Sequence, residues 1–72
     1  MRLFEVREGL YIDLDSVRKL EIKTITRNEG TYHSFGVYVE VDGIAPTLLY
    51  ESPNFEAAKN YLENFVMDNF QQ

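Results

Sequence analysis

The chain has 72 residues, a formal net charge of -5, no cysteine and one histidine. This composition excludes disulfides and thiolate metal sites and disfavours structural zinc, and the excess of acidic side chains disfavours non-specific binding to nucleic acid. We expect a single domain over residues 1–72, whose core supplies only roughly 3 to 5 kcal/mol of stability. Oligomerisation or docking on a partner is therefore expected to add to it.

The beginning of the chain carries a charge every few residues. No apolar run has the length of a signal-peptide core or of a membrane-spanning helix. We therefore expect a cytoplasmic protein.

Apolar and polar residues alternate through the first two thirds of the chain, which predicts antiparallel strands within residues 2–51. The first two strands are separated by Glu8-Gly9, a tight-turn signal. A third strand follows the turn signal of Asp15-Ser16. Its alternation slips at Ile25, where a β-bulge or a twist out of the sheet would account for the change, and we favour the bulge.

The longest alternating run extends from Thr31 to Val41 and is rich in β-branched and aromatic residues. It predicts the central strand of the sheet. Asp42-Gly43 predicts a type I′ hairpin turn into a last strand. Pro46 lacks an amide proton, so we place that last strand at an edge.

After Ser52-Pro53 the apolar period changes to that of a helix, over about residues 53–70. Ser52 is a candidate cap, and Pro53 suits a first helical turn. Met67 falls on the polar side, while the apolar side carries Phe55, Ala58, Tyr61, Leu62, Phe65, Val66 and Phe70. The predicted fold is α+β: an antiparallel four- to five-stranded meander sheet with one C-terminal amphipathic helix packed on one face.

The candidate chemical motifs are weak. Asp13 to Ser16 resembles the start of a calcium loop, but Arg18 and Thr24 occupy the positions of its glycine and closing carboxylate, so we predict a plain turn. His33 has no partner signature for acid–base or nucleophilic catalysis. The glycines do not cluster as phosphate-binding loops do. We predict no catalytic, metal-binding or cofactor-binding residue, and a protein that is not an enzyme.

One helix can cover only one face of the sheet, so outward-facing tyrosines and lysines remain on the other. Tyrosine is enriched at interfaces because it combines a large area with a polar tip. Met67 and Phe70 at the helix end form a second candidate contact. We predict an interaction module that self-associates, as a homodimer, or docks on a protein partner through the helix-free face or an edge strand; the candidate interface residues are Tyr11, Tyr32, Tyr38, Lys19, Lys23, Met67 and Phe70.

The same outward face has two alternative interpretations. Tyrosine rings that stack on bases and lysines that follow the phosphates are typical of proteins that bind single-stranded nucleic acid. Acidic residues share the outward parity, however, so the face is mixed in charge: Glu5, Asp13, Glu21 and Glu40. A plain solvated sheet surface is the other alternative, because exposed apolar atoms are normal on proteins.

Overall fold

The computed structural model describes residues 1–71. The elements in chain order are β1 (Leu3–Arg7), β2 (Leu10–Asp13), a 3₁₀ turn (Leu14–Ser16), β3 (Val17–Arg27), β4 (Tyr32–Val41), β5 (Ile44–Ser52) and α1 (Phe55–Phe70). All strand pairs are antiparallel. The prediction of an α+β fold with a C-terminal helix is confirmed.

The strands form two sheets, β1-β2 and β3-β4-β5, so the predicted single meander sheet is not found. The difference arises at the turn between β2 and β3. The Asp13 carboxylate accepts hydrogen bonds from the amide of Asp15 (3.0 Å) and from the hydroxyl of Ser16 (3.2 Å), which closes a 3₁₀ turn there. This turn redirects the chain, so β2 and β3 do not continue as a hairpin, and the Asp13 motif serves as a turn.

Within the three-stranded sheet, β4 is central and β5 with its Pro46 lies at an edge, as predicted. The predicted bulge at Ile25 is wrong, because β3 pairs with β4 residue for residue from Lys19 to Arg27. The register shift in β3 lies instead between Val17 and Lys19. Ile25 therefore points to the helix-free side as a regular strand residue.

The β4–β5 turn also differs from its prediction. A type I′ turn needs positive φ at both central residues. Gly43 has φ +75°, but Asp42 does not adopt positive φ. Positive φ occurs instead at three consecutive residues of the β3–β4 loop, Asn28, Glu29 and Gly30.

The helix begins two residues later than predicted. The Asn54 side chain is the N-cap, accepting from the amides of Glu56 (2.8 Å) and Ala57 (3.3 Å). The Ser52 hydroxyl accepts from the amide of Asn54 (3.0 Å) and so fixes the turn that precedes the helix. Pro53 lies in that turn rather than in the first turn of α1.

The core lies between α1 and one face of the three-stranded sheet, and the β1–β2 hairpin contributes to it. The Phe4 ring of the hairpin meets the Phe65 ring of the helix edge-on, with centroids 5.0 Å apart. Tyr61 stacks on Tyr50 of β5 at 4.6 Å with nearly parallel rings. The buried hydrophobic residues are Ile12, Leu14, Val37, Val39, Val41, Ala58 and Phe65. This arrangement leaves the opposite face of the sheet and the outer side of β3 uncovered by the helix.

Candidate interaction surface

The helix-free face of the three-stranded sheet, here called the outer face, follows from the parity of its strands. Cross-strand pairs such as Glu21 with Tyr38 and Arg27 with Tyr32 point their side chains to the same side. The outer face consists of Lys19, Glu21, Lys23, Ile25 and Arg27 of β3, Tyr32, Ser34, Gly36, Tyr38 and Glu40 of β4, and Leu48 and Glu51 of β5.

Gly36 lies at the centre of the outer face, beneath three larger side chains. A Cβ atom at this position would lie 2.7 Å from Cδ1 of Ile25, 2.9 Å from Cδ1 of Leu48 and 2.9 Å from Cε2 of Tyr38. The missing side chain thus provides the room into which these three groups converge. Leu49, in contrast, packs against the hydrophobic core. The middle of the outer face is covered by the protein's own side chains.

An ion pair closes the outer face at the end where β4 begins. The Arg27 guanidinium donates to both oxygens of the Glu51 carboxylate, one at 3.0 Å, and the Ser34 hydroxyl donates to the same carboxylate. Ser34 is fully buried. The hydrogen bonds from Arg27 and Ser34 lower the pKa of Glu51 to about 2. These contacts join β3 to β5 across β4, so Arg27 and Glu51 serve the integrity of the sheet.

Four of the predicted interface residues lie together on the outer face. The Lys23 ammonium lies 5.1 Å from the centre of the Tyr38 ring, and the Arg27 guanidinium lies 5.9 Å from that of Tyr32. Both rings therefore already have a cation over one face. Tyr38 is half-buried, and Tyr32 lies at the rim with 38% exposure.

The two predicted lysines share one carboxylate within the chain. The Glu21 carboxylate lies 3.5 Å from the Lys19 ammonium and 3.4 Å from that of Lys23. Tyr11, predicted to share this surface, lies instead on the separate β1–β2 sheet opposite Glu5 and is exposed. The structure therefore groups Tyr32, Tyr38, Lys19 and Lys23 and places Tyr11 elsewhere.

The outer side of β3 is the most extended unpaired backbone of the three-stranded sheet. β3 is 11 residues long, and in residues 1–71 it pairs with β4 alone. Its other side thus presents free N–H and C=O groups. The opposite edge, β5, carries Pro46 near its beginning, whereas β3 contains no proline. Sequence reasoning named an edge strand without identifying β3, since the pairing of β2 with β3 was expected to cover it.

An apolar stripe on α1 lies away from the helix flank that stacks on β5. Tyr61 holds one flank of the helix against β5, and Leu62 and Val66 are displaced from Tyr61 by at least about 100° around the axis. Both are half-buried, and Met67 beside them is 58% exposed. The three line an open groove of about 580 Å³ together with Glu63, Asn64 and Gln71. We call Leu62, Val66 and Met67 the helix stripe.

Phe70, the second predicted contact on the helix, is not part of this stripe. Its ring lies 6.1 Å from that of Phe65 and beneath the Arg2 guanidinium, at 5.6 Å. Arg2 also donates to the carbonyl oxygen of Asn69 at 2.7 Å. Phe70 therefore packs at the hairpin end of the helix, with 39% of its surface exposed.

Residues 1–71 contain no group of three or more His, Cys, Asp or Glu side chains arranged to hold a metal ion. Over the same residues, no helix has the length and apolarity to cross a bilayer. His33 is exposed at the beginning of β4, opposite Thr26. That the chain is not an enzyme and uses no cofactor stays a prediction.

Comparison of the chain with protein-family models, with curated proteins and with solved structures finds no match. A proposal for function therefore depends on the free edge of β3, the outer face and the helix stripe.

Proposed function

We propose that this chain is a small, cytoplasmic, non-catalytic interaction module that docks on a protein partner by adding a strand to the free edge of β3. The unpaired side of this 11-residue strand carries the proposal. Its N–H and C=O groups are already held in the extended geometry that an incoming strand requires. Docking at this edge therefore needs no rearrangement of the module.

We favour the β3 edge over the outer face because side chains of the protein itself already cover the outer face. Ile25, Tyr38 and Leu48 close over Gly36, and the Arg27–Glu51 pair spans the sheet beside them. A partner docking flat on this face would have to displace or desolvate that ion pair, which costs free energy. Lys19 and Lys23 lie on β3 itself and are better placed to contact a strand that lies beside it.

The helix stripe is a second apolar surface available to a partner. In strand addition the backbone hydrogen bonds supply affinity, and pockets for alternate side chains supply selectivity. The half-buried Leu62 and Val66 and the exposed Met67 offer an apolar surface on α1, away from the flank that stacks on β5. A partner with an exposed apolar surface would gain contact with this stripe.

Binding of single-stranded nucleic acid by the outer face is the second candidate. The lysines and tyrosines that suggest it are present, but the outer face balances its three basic side chains with Glu21, Glu40 and Glu51, and the net charge is -5. These charges favour a protein partner. Titration with mixed oligonucleotides at low salt distinguishes the two, since binding that Lys23→Ala abolishes would favour nucleic acid.

Edge-blocking substitutions test the proposal. Consecutive amides of a strand point to opposite edges, so one of Lys23→Pro and Thr24→Pro removes a donor from the free edge while the other breaks the β3–β4 ladder. The variant that keeps its thermal unfolding midpoint is the edge-blocked one. Tyr32→Ala serves as the control on the outer face.

Tagged wild-type protein and these variants are compared for retention of proteins from the native host and of untagged copies of the chain. We expect the edge-blocked variant to lose the retained partner and Tyr32→Ala to keep it. Retention unchanged by edge blocking but lost in Tyr32→Ala would contradict the proposal.

A further inference from the structure

We infer that the partner at the β3 edge is a second copy of this chain, paired antiparallel about a two-fold axis at Ile22 to form a continuous six-stranded sheet. The inference rests on the proposed docking edge and adds the partner and the register. Its basis is that the middle of β3, residues 21–23, is complementary to itself in charge and apolarity in one alignment.

Symmetry restricts the alignments that two copies of β3 can adopt. Residues directly opposite each other in an antiparallel pair point to the same face of the sheet. A two-fold axis relating antiparallel neighbours stands perpendicular to the sheet, so it keeps the outer face of both copies on one side. Only alignments centred on a residue opposite its own copy satisfy this condition. β3 has a register shift between Val17 and Lys19, so centring on Ile22 pairs the regular residues 19–25 of the two copies.

Charge selects the same alignment. With Ile22 opposite its copy, Glu21 lies opposite Lys23 of the second copy, and Lys23 lies opposite the second copy's Glu21. A shift centred on Glu21 brings two glutamates together and sets Lys19 against Lys23. A shift centred on Lys23 brings two lysines together and sets Lys19 against Arg27. An alignment centred on Leu20 carries the pairing across the register shift between Val17 and Lys19. An alignment centred on Thr24 sets Glu21 against Arg27, whose guanidinium already binds Glu51, and loses the contact of Ile22 with its copy.

On the helix side, the centre of the joint between the two copies of β3 is apolar in this alignment, and Arg18 lies opposite Thr26 at each end. Ile22 meets its own copy, and Leu20 lies opposite Thr24; Leu20 and Ile22 are half-buried in the single chain. Both copies of α1 lie on this side of the sheet. Strand pairing alone buries less than about 1,200–2,000 Å², the range typical of stable interfaces. The dimer should therefore be reversible, with dissociation in the micromolar range.

Lysines on an edge strand commonly prevent sheets from joining. Here Lys19 and Lys23 alternate with Glu21 on the outer face. Like charges come together in the neighbouring alignments centred on Glu21 or Lys23, whereas the Ile22-centred alignment brings Glu21 and Lys23 together. The same residues that discourage open-ended aggregation thus define one closed pair.

Charge exchange across the joint tests the inference by sedimentation equilibrium of the full chain at low salt. Glu21→Lys and Lys23→Glu each replace two attractive cross-strand pairs by two repulsive ones. We therefore expect the dimer dissociation constant to rise by about tenfold in each variant. The double variant Glu21→Lys/Lys23→Glu restores both pairs and should return to within about twofold of wild type. Glu8→Lys and Arg7→Glu, on the hairpin, change the net charge equally and should leave dimerisation unaltered.

The inference is overturned if the double variant dimerises as weakly as the single ones, or if the wild type stays monomeric at all accessible concentrations. A monomer whose partner retention still depends on the β3 edge overturns this inference and leaves the docking edge intact. Retention and dimerisation that both ignore edge blocking overturn the docking edge itself.

Discussion

Replacing Gly36 by alanine tests whether the outer face is closed by its own side chains. The backbone at Gly36 does not have positive φ, so alanine introduces no backbone strain. Its Cβ would approach Ile25, Leu48 and Tyr38 at 2.7 to 2.9 Å. Overpacking of this kind costs about 1 to 3 kcal/mol, and replacing a strand glycine recovers about 0.5 to 1 kcal/mol. We expect a net loss of about 1 kcal/mol of unfolding free energy.

The assay is urea unfolding followed by circular dichroism. With a slope of about 1 kcal/mol per molar, the midpoint should fall by about 1 M. Ile25→Val removes the Cδ1 atom that lies nearest to the new methyl. The double variant Gly36→Ala/Ile25→Val should therefore be more stable than the sum of the single effects predicts, by at least about 0.5 kcal/mol.

Unfolding of Gly36→Ala at the wild-type midpoint or above it would refute this reasoning, as would strict additivity in the double variant. Either result would mean that the side chains around Gly36 leave space above it. The outer face would then be an open surface, and it would become a stronger candidate docking site relative to the β3 edge.

Three further predictions concern the core, the helix cap and the acid limb of stability. Phe65→Ala removes a buried ring at a cost of about 3 to 5 kcal/mol, comparable with the whole stability of so small a domain, so its circular dichroism at 25 °C should be that of an unfolded chain; a cooperative thermal transition would contradict this. Asn54→Ala should lower the unfolding free energy by about 1 kcal/mol and Asn54→Asp should not, and equal urea midpoints for the two variants would show that the cap is unimportant. The pKa of Glu51 is lowered to about 2 in the folded chain from an ordinary value of about 4.3, so its carboxylate contributes stability above about pH 4.3, and this contribution is lost as the pH falls towards 2. Glu51→Gln should flatten that part of the stability profile, and an acid limb identical to that of the wild type would exclude the Arg27–Glu51 pair as its source.

The elements that local pattern could predict are those whose period is long and regular. The alternation through Val41 identified β4 as the central strand, and the change of period after Ser52 identified α1. The helix start was misplaced because Asn54, rather than Ser52, uses its side chain as the cap. Which of two neighbouring residues caps a helix depends on their backbone angles, and the sequence alone does not determine these angles.

The candidate surface was harder to predict because it depends on which strands pair. Tyr11 has outward parity, yet the 3₁₀ turn after Asp13 places it on a different sheet. Ile25 resembled a break in alternation, whereas it covers Gly36 from the neighbouring strand. A glycine inside a long strand was the available signal, since it often marks a close approach by another group. The free edge of β3 follows only from the separation of the two sheets, which is a non-local property.

Cysteine cross-linking across the joint tests the central claim most directly, because the natural chain contains no cysteine. In the Ile22-centred pair, residue 22 lies opposite its own copy at about 4.5 to 5.5 Å between Cβ atoms, close enough for a disulfide after slight adjustment. The two copies of residue 24 are separated by about 14 Å along the strands. Mild oxidation should therefore convert Ile22→Cys to a covalent dimer and leave Thr24→Cys monomeric. Cross-linking of Thr24→Cys in preference to Ile22→Cys, or of neither, would contradict the account.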